Sequence, residues 1–161
     1  MRHTMLATLV LAIGVSPALH AESTFSSADE AAVKTVLTGY KEALQRRDLA
    51  GVEALFAEEN VVAESGKLEG GYRDYVEHHI GPELAHITRF ALSDYEVRVQ
   101  GVGDVAWTTE TYRYVIELPD RAEPIERQGV STTVLQRLDG MWKIRSMHSS
   151  SRAPKPAAAS P

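Results

Sequence analysis

The second half of the chain carries four long β-type runs broken only by turns, and no other property limits its fold as tightly. They are Phe90–Val99, Val105–Leu118, Ile125–Leu138 and Trp142–Ser150, the middle two rich in Val, Ile, Thr and Tyr. Residues 101–104, 119–124 and the pair Asp139-Gly140 separate them. An Asp-Gly pair between such runs marks a two-residue hairpin turn, whose backbone needs positive φ at both positions. Ordinary strands hold about 5–6 residues. Runs of up to 14 residues must therefore twist and curl to stay paired.

The first half follows a different period. Ser27 with Glu30 forms a candidate capping box. Beyond it Val33, Val36, Leu37, Tyr40 and Leu44 recur three and four residues apart, which predicts an amphipathic helix. Asp48 suits the cap of a second, shorter helix that turns Val52, Leu55 and Phe56 inward. Val61 to Ser65 reads as a short strand ending at Gly66. A third helix is expected from Tyr72 to about Ile87, kinked or restarted at Gly81-Pro82, because proline removes a donor and clashes with the preceding turn. Helices first and hairpins afterwards predict an α+β fold, with three N-terminal helices packed on a strongly curved antiparallel sheet. Such a sheet closed by helices makes a cone, and the cone has an interior.

The two ends read differently. Arg2 and His3 precede an apolar run from Met5 to Val15, then Ser16-Pro17 and the small residues Ala18 and Ala21. This is the layout of a secretory signal peptide over residues 1–21. Its apolar run is shorter than the roughly 20 residues of a spanning helix. A domain over 22–152 and a disordered tail over 153–161 follow. The expected location is periplasmic or secreted, with no membrane association after cleavage. Without Arg2 the chain has 16 Lys+Arg against 22 Asp+Glu. That negative balance argues against nucleic acid and anionic membranes as partners. There is no cysteine, so thiol catalysis, disulfides and thiolate metal sites are excluded.

Three helices, a short strand and long meandering strands ending in DGMWKIRSMHSSSR resemble the nuclear-transport-factor-2-like superfamily. The opening VLTGYKEALQRRDLAGVEALFAEENVVAESG is similar to its SnoaL-like branch of small exported proteins. The resemblance spans about Ala28 to Arg152. It implies the cone-shaped fold, and for function it implies only a range: isomerases, dehydratases, cyclases, hydrolases and pure binding modules share this scaffold. ESG at Glu64–Gly66, YVEHHIGPEL at Tyr75–Leu84 and HSSS at His148–Ser151 resemble a narrower exported group. There the resemblance implies that the polar members of these motifs look toward the pocket. The tyrosine and paired aspartates of steroid isomerases are not matched.

Beyond residue 21 the histidines are His78, His79, His86 and His148. Helical spacing puts His79 on one face with Tyr72, Tyr75 and Val76, hence inward, and leaves His78 in solvent. Strand alternation puts His148 on the side of Trp142, Ile144 and Ser146, hence also inward, with Met147 turned away. Glu64 on the short strand is placed to meet both imidazoles. Ligand-binding candidates are therefore Glu64, Tyr75, His79 and His148. Glu64, His79, Glu83 and His148 form a candidate set for a divalent metal, copper or zinc. Without metal, His79 or His148 is the candidate general base, oriented by a carboxylate.

Three functions stay open at this point. They are an exported protein binding a small molecule or metal ion, a small isomerase, dehydratase or hydrolase, and a homodimer packed through a sheet face bearing Trp107, Val115 or Val99. The bland alternatives are equally concrete. An inward histidine can be a satisfied core group. Tyr40, Tyr112 and Tyr114 read as ordinary packing aromatics. Glu110, Arg113, Glu117, Glu126 and Arg127 read as cross-strand pairs on a wet face. Ser149 to Ser151 lack a surrounding nucleophile elbow and read as a strand end.

Overall fold

A computed structural model describes residues 24–155. The expected signal peptide, residues 1–21, lies outside the described residues, as do residues 156–161 of the expected tail.

Helix α1 (Ser27–Arg46) is closed at its start by Ser26 and Asp29, one residue earlier than the expected box. Ser26 Oγ accepts from the Asp29 N–H, and the Asp29 carboxylate accepts from the Ser26 N–H and Oγ. Tertiary contacts select this register: Asp29 also meets Arg137 Nη1 at 2.5 Å. The apolar stripe Val33, Leu37, Tyr40, Ala43 and Leu44 is buried.

Asp48 does not open a second helix. Its carboxylate accepts from the Ala50 N–H as a local turn, and only one 3₁₀ turn, Val52–Leu55, precedes strand β1 (Phe56–Glu64). Strand β2 (Lys67–Gly70) folds straight back on β1. The third helical stretch consists of α2 (Tyr72–Tyr75), a π-helical turn (Val76–Ile80) and α3 (Gly81–His86). The α-helical pattern restarts at Gly81 with Pro82 in its first turn, as expected, after the Gly81 N–H has closed the π turn on the Val76 carbonyl five residues back. Gly81 is required here: a Cβ would lie 2.4 Å from the Val76 carbonyl oxygen.

Strands β3 (Arg89–Val102), β4 (Val105–Glu117), β5 (Ile125–Leu138) and β6 (Met141–Arg152) form the expected meander. Asp139 and Gly140 both take positive φ, 50° and 78°, as the hairpin needs. The sheet order is β2-β1-β6-β5-β4-β3, antiparallel throughout except that β1 runs parallel to β6. The core fills the concave side, where α1 lies against Ala106, Leu135, Trp142 and Ile144. Phe56 stacks on Tyr72 at 3.9 Å between ring centroids, with Tyr40 edge-on to both. The fold is α+β with a curled sheet, as expected; strand β2 and the parallel β1–β6 pair lie outside that expectation. Among the described residues no helix is long and apolar enough to cross a membrane.

Two bulges decide which side chains reach the interior. One, at Asp94 (φ 50°), interrupts the β3–β4 register between Ser93 and Glu96. The other sits in β6. Ile144 pairs with Leu135 and Ser146 with Val134, so Arg145 is an extra residue. A single extra residue reverses the alternation of everything after it.

Candidate functional site

The concave face of the sheet and the helical segment enclose a cavity of about 80 Å³. Its apolar wall comes from α1, α3 and the open end of β3 and β4, including Leu44, Leu84, Ile87, Phe90 and Ile116. The polar wall comes from β1, β5 and β6. In-register pairing carries one inward row across the sheet, from Glu110 through Ser131 and Ser149 to Glu64. The next row sets Tyr112 opposite Gly129 and Ser151. Gly129 has a reason to be glycine, since a Cβ would lie 2.3 Å from the Tyr112 ring, which lies across it and lines the cavity.

Glu64, Tyr75 and His79 come together as the sequence predicts. The Tyr75 hydroxyl donates to Glu64 Oε2 at 2.5 Å, and the Tyr75 and His79 rings are 5.3 Å apart. Burial pushes the Tyr75 phenol far above its usual range, and the charges of Glu64 and Glu83 add to that, so it stays a donor. Glu83 also joins them: its Oε1 is 3.2 Å from His79 Nε2, while Glu64 Oε2 is 4.0 Å from the same nitrogen.

His148 does not join. The alternation expected from Trp142 and Ile144 fails at the Arg145 bulge, so His148 is exposed on the outer face and Met147 is buried. In its place the bulge delivers Met147, Ser149 and Ser151 to the cavity. The four-residue set Glu64, His79, Glu83 and His148 is therefore not assembled. Among the described residues no group of three or more His, Asp or Glu side chains is arranged to hold a metal ion.

Two groups were missed from the sequence. Glu69, in the short polar strand β2, has only 2 % of its side chain exposed and places Oε1 2.8 Å from His79 Nδ1. Lys67 holds its other oxygen at 2.7 Å. Both nitrogens of His79 thus face carboxylates. Partial burial opposes its positive charge, but the pairing with Glu69 and the charges of Glu83 and Glu64 outweigh that and hold its pKa above the ordinary value. With a carboxylate at each nitrogen, the His79 ring holds Glu69 and Glu83 in place. For proton abstraction inside the cavity, the carboxylates that line it are Glu64 and Glu83.

The second missed group is Lys41 with Glu110. Instead of lying on a wet face, Glu110 is fully buried, and Lys41 Nζ lies 3.1 Å from its Oε2. Tyr95 donates to Oε2 at 2.9 Å and Thr133 to Oε1 at 3.2 Å. The ammonium also sits 5.0 Å from the Tyr112 ring centroid, 5.5 Å from Tyr40 and 5.9 Å from Tyr95. Lys41, Tyr40 and Tyr112 all line the cavity floor, so these aromatics do more than pack.

Comparison with known proteins agrees with this architecture. Among solved structures, a candidate ketosteroid isomerase from Shewanella frigidimarina NCIMB 400 is 28% identical, with a TM-score of 0.64 over 74% of this chain and 94% of that one. Hexachlorocyclohexane dehydrochlorinase LinA-type3 from Novosphingobium barchaimii LL02 is 16% identical (TM-score 0.67; 83% and 95% covered). A conserved protein from Planctomyces limnophilus DSM 3776 is 18% identical (TM-score 0.70; 80% and 100% covered). The last two likenesses speak to the fold alone. No curated protein sequence matches. Residues 33–154 match the SnoaL-like domain, and the chain therefore belongs to the SnoaL-like branch of the nuclear-transport-factor-2-like superfamily.

Proposed function

We propose that this protein binds a small organic molecule inside the cone, as an exported binding protein of the periplasm or the medium. The observation that carries the reading is one-sidedness. A donor–acceptor pair, Tyr75 and Glu64, and the hydroxyls of Ser131 and Ser149 face an apolar wall across a single cavity. An apolar body fits one wall, and a hydrogen-bonding head group fits the other. The names of the neighbours, an isomerase candidate and a dehydrochlorinase, support small-molecule chemistry on this scaffold.

The test is native mass spectrometry of the protein purified from its own host, beside Ser149→Phe, which fills the cavity. The expected result is a retained organic molecule in the wild type and none in the variant. The reading fails if the wild type carries nothing and no fragment in a screen shifts the NMR signals of Tyr75, Tyr114 or Ser149.

A second copy of the chain is a further proposed partner, through the outer sheet face. There Trp107, Val134 and Val130 are exposed in register with Thr109, Thr132 and His148. No carboxylate or Lys/Arg interrupts these six positions. Val99, expected outward, packs against the core instead. Sedimentation checks this: a dimer that Trp107→Lys converts to monomer is expected, and a wild-type monomer at high concentration refutes it.

A further inference from the structure

We infer that the occupant of the cavity is an organic cation, an amine or quaternary ammonium on a small apolar body. The inference rests on the small-molecule reading above and narrows it by charge.

The lining carries two carboxylates open to a ligand, Glu64 and Glu83. Its one Lys or Arg, Lys41, is already engaged by Glu110 and covered by ring faces. An anionic head group entering the cavity would meet two negative charges and a cation that is spoken for. A cationic head group meets complementary ones. Glu64 accepts from Tyr75 through Oε2 and has no protein partner at Oε1 among the described residues. Glu83 faces His79 through Oε1 and stands at the mouth with 57 % of its side chain exposed.

The rings point the same way. Phe90 stacks on Tyr114 with centroids 5.4 Å apart, and Tyr112 lies 6.1 Å from Tyr114, so a continuous aromatic surface faces the carboxylates. The face of an aromatic ring is the negative end of its quadrupole and attracts ammonium groups. This fold already uses that attraction once, in seating the Lys41 ammonium among tyrosines. The field of Glu64 is felt across the whole cavity. Burial raises the phenol pKa values of Tyr40, Tyr75, Tyr112 and Tyr114, and the charge of Glu64 raises all four further. The chain's net charge of −5 favours the approach of cations as well.

Three probes of one size and different charge test the inference: benzylamine, benzyl alcohol and benzoate. Each is titrated into the full protein near neutral pH and followed by NMR shifts at Tyr75, Tyr114 and Ser149. The expected result is that benzylamine binds at least about tenfold more tightly than benzyl alcohol, with benzoate weakest. Glu64→Gln and the more exposed Glu83→Gln each reduce the preference for the amine over the alcohol several-fold. Equal affinity for amine and alcohol, or a preference for benzoate, overturns the cation inference and leaves the small-molecule reading standing. Absence of shifts with all three also overturns the cation inference, and the small-molecule reading then falls only with the native-mass and fragment-screen test above.

Discussion

Lys41 and Glu110 make the sharpest energetic prediction, because they are a charge pair with almost no water. The Glu110 side chain has no exposed area and that of Lys41 has 9 %. Lys41→Met keeps the length and packing of the side chain but strands a carboxylate in the core. Removing one partner of a buried pair typically destabilises by about 3–5 kcal/mol, since the remaining charge has lost its compensation. Unfolding a domain over residues 24–155 carries an entropy of roughly 0.28 kcal/mol/K near 60 °C at the usual value per residue. The loss therefore appears as a fall in Tm of about 11–18 °C. Adding Glu110→Gln removes the stranded charge and keeps an oxygen to accept from Tyr95 and Thr133. The double variant should return to within about 2 kcal/mol of wild type. Urea unfolding of the wild type, both single variants and the double variant closes the cycle. The reasoning is refuted if Lys41→Met stays within about 1 kcal/mol of wild type, or if the double variant is no more stable than Lys41→Met.

Three other outcomes follow from the site. His79 should titrate by NMR with a midpoint above about 6.5, and Glu69→Gln should lower it; a midpoint below that value contradicts the paired geometry. Because folding raises this pKa, the stability it contributes is fully present below about 6.5 and is lost as pH rises through the folded-state value, which urea midpoints across that window would record. His148→Ala should leave ligand affinity in the cavity within about twofold, well under 1 kcal/mol, whereas Tyr75→Phe should weaken it by about tenfold for one lost donor. Gly129→Val should displace the Tyr112 ring and cost about 1–3 kcal/mol by overpacking, measured by thermal unfolding; an unchanged Tm would mean that the ring has room to move.

What could be read from the residues depended on whether the signal was local. The stripe of α1, the long strands and the Asp139-Gly140 turn announce themselves through spacing and turn chemistry, and the cone follows from them. The Ser26–Asp29 cap differs from the expected Ser27–Glu30 by one position because Arg137, more than a hundred residues away, helps to choose it. Helical spacing persists through the π turn well enough to keep His79 beside Tyr75, as its sequence position predicts, though the ring does not itself line the cavity. His148 was misplaced by the Arg145 bulge, which leaves no mark in the alternation of Trp142, Ile144, Ser146 and His148. Glu69 was hidden in Lys67–Gly70, a stretch too short and polar to read as a strand. Lys41 and Glu110 each resemble surface residues in isolation, and their burial is visible only once α1 lies across β4.

The Arg145 bulge also divides the labour of one strand. Before it, Trp142 and Ile144 are committed to the core; after it, Met147 still is, while Ser149 and Ser151 line the cavity. Substitutions at Ser149 and Ser151 would therefore alter the cavity wall without touching Trp142 or Ile144. The same device makes the strand sensitive to length: losing one residue at this point would turn Ser146, His148 and Ser150 inward in place of Met147, Ser149 and Ser151, exchanging a thioether for an imidazole.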